Sequence, residues 1–368
     1  MASLFQACKA AVRNKEGGTF NIGGYDINIE MYSQQDIQDD IQYGDVAFGD
    51  NDESKIVLVT GDTITIPAGY TLTPDKPKKS LVIFCNELVN NGTISMYQKA
   101  PNTLPHDYYI IQGSVIGSNR NVIIPAYANN QVPRSQAQTG TIGNNGTNRQ
   151  CGSGGCGGSD YASSNPGTVG ASGSGYAFGG GAGSGGSFLY YEGNQSPDVD
   201  EIYPMHGGAG GGYNTWGTNV GGVGNPAGLN NGTISTNLNN FGCGGRIIIF
   251  CSNFENNGTI TVNGTSTKMA VDVSGTSNSY GGASGGGAVD LFYHTLVAEG
   301  TITANGGGTF SYAARYGNAS PGKGGDGSIT LTQWNLDKVI KEERKMFTKD
   351  NWIYLFNNYS QRLREDVI

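Results

Sequence analysis

Apolar and polar positions along the chain fall into short runs bounded by turn residues. KIVLVT (55–60), TITIPAGYTLT (63–73) and SLVIFCNEL (80–88) are rich in β-branched and aromatic residues. Gly-Asp, Pro-Asp and Asn-Asn pairs separate them, so each run is predicted to be a strand. The first fifteen residues behave differently: Leu4, Phe5, Cys8 and Val12 lie on one stripe at helical spacing, which predicts a short N-terminal helix. The Gln- and Asp-rich stretch around 33–45 reads as a surface helix or loop.

One pattern recurs. SLVIFCNELVNNGTISMYQ (80–98), GRIIIFCSNFENNGTITVNG (245–264) and AVDLFYHTLVAEGTITANGG (288–307) align without gaps. In each, an aromatic on the strand precedes a turn glycine by eight residues: Phe84 to Gly92, Phe250 to Gly258, Phe292 to Gly300. Gly-Thr-Ile follows every time. GSITLTQW (327–334) begins a fourth copy, and NNGTIS recurs alone at 230–235. A strand-turn-strand unit at a period of about 41 residues cannot bury its apolar face alone, but stacked copies can. Asn-Gly at the turn suits positive φ, which assigns Gly92, Gly258 and Gly300 as structural turn glycines.

Composition divides the chain in three. Glycine makes up 61 of 368 residues against a usual share of about 7%, and 50 of the 61 lie between residues 140 and 327. Tracts such as GGGAGSGGS (179–187), HGGAGGGYN (206–214) and YGGASGGGA (280–288) punctuate the repeat and carry aromatic residues, unlike flexible linkers. They are expected to be ordered, as packed extended glycine helices with three residues per turn. Beyond residue 327 glycine disappears, and the sequence turns charged and helical in pattern. Asn335 and Asp350 are placed to cap two helices. Val339, Ile340, Met346 and Phe347 are the apolar members of the first, and Trp352, Ile353, Leu355, Phe356 and Leu363 those of the second. Trp352 and Phe356 suit docking on a partner or a symmetry mate; the competing view is a cover for an open end of the stack.

The expected fold is therefore mainly β: a β-solenoid of stacked β repeats with ordered, polyglycine-II-like segments and short helical termini. Residues 1–75 form an N-terminal attachment region, 76–332 the glycine-rich β-repeat domain, and 333–368 a C-terminal helical segment. Residues 99–242 are either part of the stack or a protruding insertion.

A net charge of −8 leaves no basic footprint for nucleic acid and disfavours anionic membranes. No run of about 18 apolar residues exists to cross a membrane. The N-terminus lacks the apolar core of a signal peptide, so synthesis in a cytoplasm is expected. Six cysteines without C-x-x-C pairs argue against a zinc ribbon or disulfide scaffold; Cys151 and Cys156 are close enough to bridge, with buried free thiols the alternative.

The form Gly244, Gly245, Arg246, Ile247, Ile248, Ile249, then Asn256, Asn257, Gly258, Thr259, Ile260, resembles phage tail-fibre and adhesin proteins with glycine-rich receptor-binding regions. Weaker copies lie around 83–94 and 289–302, and the resemblance spans roughly residues 80–332. It implies a receptor-binding structural protein, held in a virion and often trimeric. Here the glycine tracts are interrupted by Ser, Ala, Asn and Tyr, unlike the most regular members of that group.

Enzymatic signals are thin. Of the three histidines, His106, His206 and His294, the last sits on a repeat strand and reads as structural. His206 lies near Asp198, Asp200 and Glu201, a carboxylate set that glycoside hydrolysis uses when the spacing is right; a solvated loop is the competing reading. GDNDES (49–54) lacks the glycine and distal Glu of a calcium loop. No enzyme activity, cofactor or metal is expected. The ring-rich loops are the candidate receptor-binding surface: Tyr176, Phe178, Phe188, Tyr190, Tyr191, Tyr203, Tyr213 and Trp216 offer large contact area with few torsions to freeze, and stack on sugars. Filling a core poor in Leu and Ile is the alternative use of these rings. The expected partners are a host-surface glycan or protein receptor, other virion proteins and further copies of the chain, a trimer being what the resemblance implies. Four functions follow from these features: a host-binding virion protein, a virion decoration without a receptor, a polysaccharide depolymerase and a bacterial adhesin.

Overall fold

Long strands with buried, mostly apolar first halves set the architecture of the computed structural model, which is mainly β. The structure describes residues 2–22, 25–37, 47–50, 52, 54–100, 145–146, 149, 151–152, 244–266, 283–308 and 323–333, with short strand pairs between them. The elements used below are α1 (Leu4–Asn14), β1 (Gly18–Ile22), β2 (Tyr25–Ser33), β3 (Ala47–Phe48), β4 (Ile56–Ile66), β5 (Thr71–Pro74), β6 (Ser80–Asn90) and β7 (Thr93–Ser95). They continue with β8 (Arg246–Asn256), β9 (Thr259–Thr261), β10 (Ala288–Ala298), β11 (Thr301–Thr303) and β12 (Ser328–Gln333).

Two open sheets result. The larger has the order β1-β2-β4-β6-β8-β10-β12, parallel throughout except for the β1–β2 hairpin at one edge. The smaller is parallel, in the order β11-β9-β7-β5-β3. Each of the three aligned segments thus holds a long strand, a turn and a short strand. The larger sheet crosses the 75/76 boundary set at the start of the repeat, because β4 pairs with β6 along its whole length.

The burial pattern explains the sequence pattern. The first residues of β4, β6, β8 and β10 are buried on both faces, which requires continuous apolar runs; further along, β4, β6 and β8 alternate, with one face on the core. Val57, Leu81, Ile247 and Val289 form one inward column, and Val59, Ile83, Ile249 and Leu291 the next; they pack on Leu72, Ile94 and Ile260 of the smaller sheet. The outward face carries Leu58, Val82 and Ile248, and the stacked rings Phe84, Phe250 and Phe292. Adjacent ring centroids are 5.9 and 5.1 Å apart, and Phe5 of α1 seats on the first two at 5.6 and 5.3 Å. Leu4, Cys8, Ala11 and Val12 complete the buried stripe of α1. The fixed aromatic-to-glycine spacing is therefore a cross-strand column.

The turns depart from expectation. Positive φ holds at Gly300 (φ 60) but not at Gly92 or Gly258. Those two are glycines because backbone stacks on backbone: a Cβ at Gly258 would lie 2.0 Å from the Gly92 carbonyl oxygen, and one at Gly92 would lie 2.3 Å from that of Pro67. The preceding asparagines act through side chains. Asn90 Nδ2 donates to Asn256 Oδ1 at 2.7 Å, and Asn256 Nδ2 donates to the Glu299 carbonyl at 2.6 Å, both in the buried turn column.

Glycine segments are hydrogen-bonded to one another and to the residues that follow the short strands. Gly287 N–H donates to Val262 O (2.7 Å), Gly286 to Gly325 O (3.0 Å), Gly307 to Ser284 O (2.9 Å) and Gly324 to Gly307 O (3.0 Å). A Cβ at Gly244 would meet Val262 O at 1.7 Å, and one at Gly327 would meet Gly287 O at 1.6 Å, so only glycine permits these approaches.

Candidate functional site at the base of an inserted segment

β6 and β8 are hydrogen-bonded neighbours in register although 166 residues separate the paired positions Asn90 and Asn256. The chain between them leaves the stack after β7 and returns before β8. Its exit and return meet: Gly245 N–H donates to the Met96 carbonyl at 2.8 Å, Met96 N–H donates to Thr261 O at 2.9 Å, and the Met96 side chain is fully buried. A Cβ at Gly245 would press on Met96 Cε at 2.7 Å, which accounts for glycine at the return. Close by, Lys78 N–H donates to the Lys99 carbonyl at 2.9 Å and Gly244 N–H to the Gly285 carbonyl at 3.3 Å, so exit and return are both tied to the stack at this neck. Within the inserted residues 97–244, NNGTIS forms a small antiparallel pair, Leu229–Asn230 with Thr233–Ile234, rather than a member of the two parallel sheets.

Part of the insertion folds back as a foot on the last levels. Gly152 N–H donates to Gly286 O (2.8 Å), Gly146 N–H to Asp326 O (2.7 Å), and Asp326 N–H to Asn145 Oδ1 (2.9 Å). Arg149, at φ 71, reaches the outward face: its NH2 donates to Thr332 Oγ1 at 2.7 Å and its guanidinium lies 5.7 Å from the Phe292 ring centroid. Beneath it Asp290 is buried completely. Arg246, also buried, donates to Asp290 Oδ2 at 2.7 Å and to the Arg149 carbonyl at 2.9 Å; Arg149 Nε faces Asp290 Oδ1 at 3.2 Å, an ion-pair contact rather than an aligned hydrogen bond. Burial pushes the Asp290 carboxyl above the usual carboxylate range despite both arginines, and burial also lowers Arg149. Cys151 is buried, with its Sγ 3.8 Å from Arg246 NH2.

A second charged cluster lies at the opposite end. Lys78, with no exposed side-chain surface, donates to Asp50 Oδ1 (2.7 Å) and the Asp52 carbonyl (3.1 Å) and pairs with Glu30 (2.9 Å); Lys55 also pairs with Asp50. The Asp50 and Asp52 carboxylates of GDNDES are thus met by the chain's own ammonium groups. The side-chain hydrogen bond to Glu30, followed by those from Lys55 and Lys78, holds Asp50 well below its usual range, whereas burial raises Glu30. Cys85 and Cys251 are buried, and burial raises both thiols, which keeps them protonated.

Of the residues singled out from sequence, Gly92, Gly258 and Gly300 line the turn column and His294 sits on β10. Tyr176, Phe178, Phe188, Tyr190, Tyr191, Tyr203, Tyr213 and Trp216 belong by position to the inserted segment; they, His106, His206, Cys156, Trp352 and Phe356 lie outside the described residues. The foot escaped sequence reasoning. Its signal was charge inside apolar strands of a charge-poor region: Arg246 in GGRIII and Asp290 in AVDLF. Comparison with family models, curated proteins and solved structures finds no match to this chain.

Proposed function

We propose that the two sheets and the glycine segments are three faces of a β-solenoid, with the glycine side packed in the polyglycine-II manner, and that this rod displays residues 97–244 as a side-mounted recognition element. In this reading the chain is a phage tail fibre or receptor-binding adhesin, held in the virion with other virion proteins and further copies of itself, that attaches to a saccharide on the host surface. The observation that carries the reading is the neck. The stack continues directly from β6 to β8, so the pairing of those two strands does not depend on the residues between them, which leaves that segment available for a recognition role. All eight candidate rings fall within that segment. Weak ring-on-sugar contacts gain avidity across copies of the chain. The foot supports a fixed presentation, because it ties the insertion to the stack away from the neck.

The test is binding of fluorescently labelled protein to a panel of intact bacteria. Saturable binding to a few strains, lost when surface glycans are stripped and weakened by Tyr213→Ala or Trp216→Ala, is the expected result. Absence of binding to every strain, or binding indifferent to both changes and to stripping, rejects it.

A further inference from the structure

The two ends of the larger sheet are finished differently. At the first, the β1 hairpin strand lies along β2 and occupies that edge with the chain's own residues. At the last, β12 is paired on one side only, and at six residues it covers only the first half of β10. The register ends at Tyr293–Gln333. Past that point β10 has no further neighbour on this side among the described residues, and its apolar side chains meet water: Leu296 is 38% and Val297 62% exposed, and Ile329 on β12 is 40% exposed. β11 is likewise the edge of the smaller sheet. An apolar parallel edge of this kind is a template for uncontrolled pairing, and stacked-repeat proteins need a cap there.

The direction of the chain points to the cover. Gln333 donates from Nε2 to the His294 carbonyl at 3.1 Å, so residue 334 emerges where the bare half of β10 begins. The sequence that follows, WNLDKVIKEERKMF, has no glycine and sets Trp334, Leu336, Val339, Ile340, Met346 and Phe347 among charged residues at helical spacing. We propose that residues 334–347 cover this end of the stack, packing on Leu296, Val297 and Ile329. A second copy of the chain offers the same chemistry only at its bulk concentration. The tail is covalently joined to the edge strand, and its effective concentration is on the order of millimolar.

The test uses the full chain with a photoreactive benzoylphenylalanine at Val297. Irradiation is expected to give intramolecular adducts to residues 334–347, with a yield unchanged over about a hundredfold dilution. Adducts between chains that vanish on dilution overturn the proposal in favour of a second copy; adducts confined to other residues, or none, also overturn it. Amide exchange on the unsubstituted chain gives a second readout. Residues 295–298 are expected to be protected, and Ile340→Lys with Phe347→Lys to speed their exchange at least about tenfold while β8 is unchanged. Free exchange at 295–298 in the unsubstituted chain contradicts the cover.

Discussion

Before the insertion, the levels close with charged side chains; after it, they close with glycine backbone. Thr63 and Glu87, on neighbouring strands of the first half, are 24 residues apart, and the chain between levels is tied by Lys78, Lys55, Glu30 and Asp50. Thr261 and Thr303, on neighbouring strands of the second half, are 42 residues apart, and Gly244, Gly264, Gly286, Gly287, Gly307 and Gly324 donate their N–H groups across levels. The same inward columns of Val, Leu and Ile run through both halves. Core and closure are therefore separable problems. The core needs only apolar residues in register. Closure needs every backbone group paired, either with side chains that tolerate variation or with glycines that tolerate none.

The sharpest way to break that contrast is to add one methyl group in each half. Gly327→Ala places a Cβ 1.6 Å from Gly287 O and is expected to cost more than about 4 kcal/mol in urea unfolding, whereas Gly69→Ala, in open space at φ 86, should cost about 1 kcal/mol. Comparable losses at both sites would erase the distinction. Next in size are the buried charges. Asp290→Ala strands the Arg246 guanidinium and is expected to cost about 3–5 kcal/mol; Lys78→Met should cost about 2 kcal/mol, since Asp50 is 46% exposed and water can take over its solvation.

Acid sharpens the contrast further, because Asp50 and Asp290 titrate with opposite signs, with Glu30, raised by burial, opposing Asp50 inside its own cluster. Asp50 is depressed in the folded chain, so its contribution is present above its unfolded value and is lost as pH falls; Asp290 is raised, so the folded chain holds its proton more tightly and its contribution grows as pH falls. Amide protection in β4 should therefore weaken below about pH 4, a slope that Asp50→Asn flattens, while Asp290→Asn removes an opposite slope from β10. Equal slopes in both strands would contradict the assignment. A smaller effect than at the buried charges is expected at the turn column: Asn256→Ala leaves the buried Asn90 amide without its 2.7 Å partner and should cost about 1–2 kcal/mol by thermal unfolding.

How much of this was legible in the sequence differs by feature. The strand positions and the α1 stripe were readable because each depends on a local period, with Phe84, Phe250 and Phe292 marking one column. The NNG turns were found, but their reason was not: crowding between levels, at Gly258 over Gly92, involves residues far apart in the chain. The division at residue 75 followed the start of the aligned segments near residue 80; β4 lacks the NNGTI turn that marks them, yet it pairs with β6 along its whole length. The foot was invisible because Arg149, Cys151 and Gly152 carry no periodicity, and their partners Asp290, Arg246 and Gly286 are recognisable only once β8 and β10 are side by side.

The central claim is that the stack runs unbroken past the insertion, and nitroxide labels at Glu87→Cys and Asn253→Cys test it most directly. These positions are register partners on β6 and β8, where neighbouring strands lie about 5 Å apart. Strong dipolar broadening in the doubly labelled chain, absent from each single label and insensitive to dilution with unlabelled protein, is the expected result. Spectra equal to the sum of the two single labels would separate β6 from β8 and contradict the account.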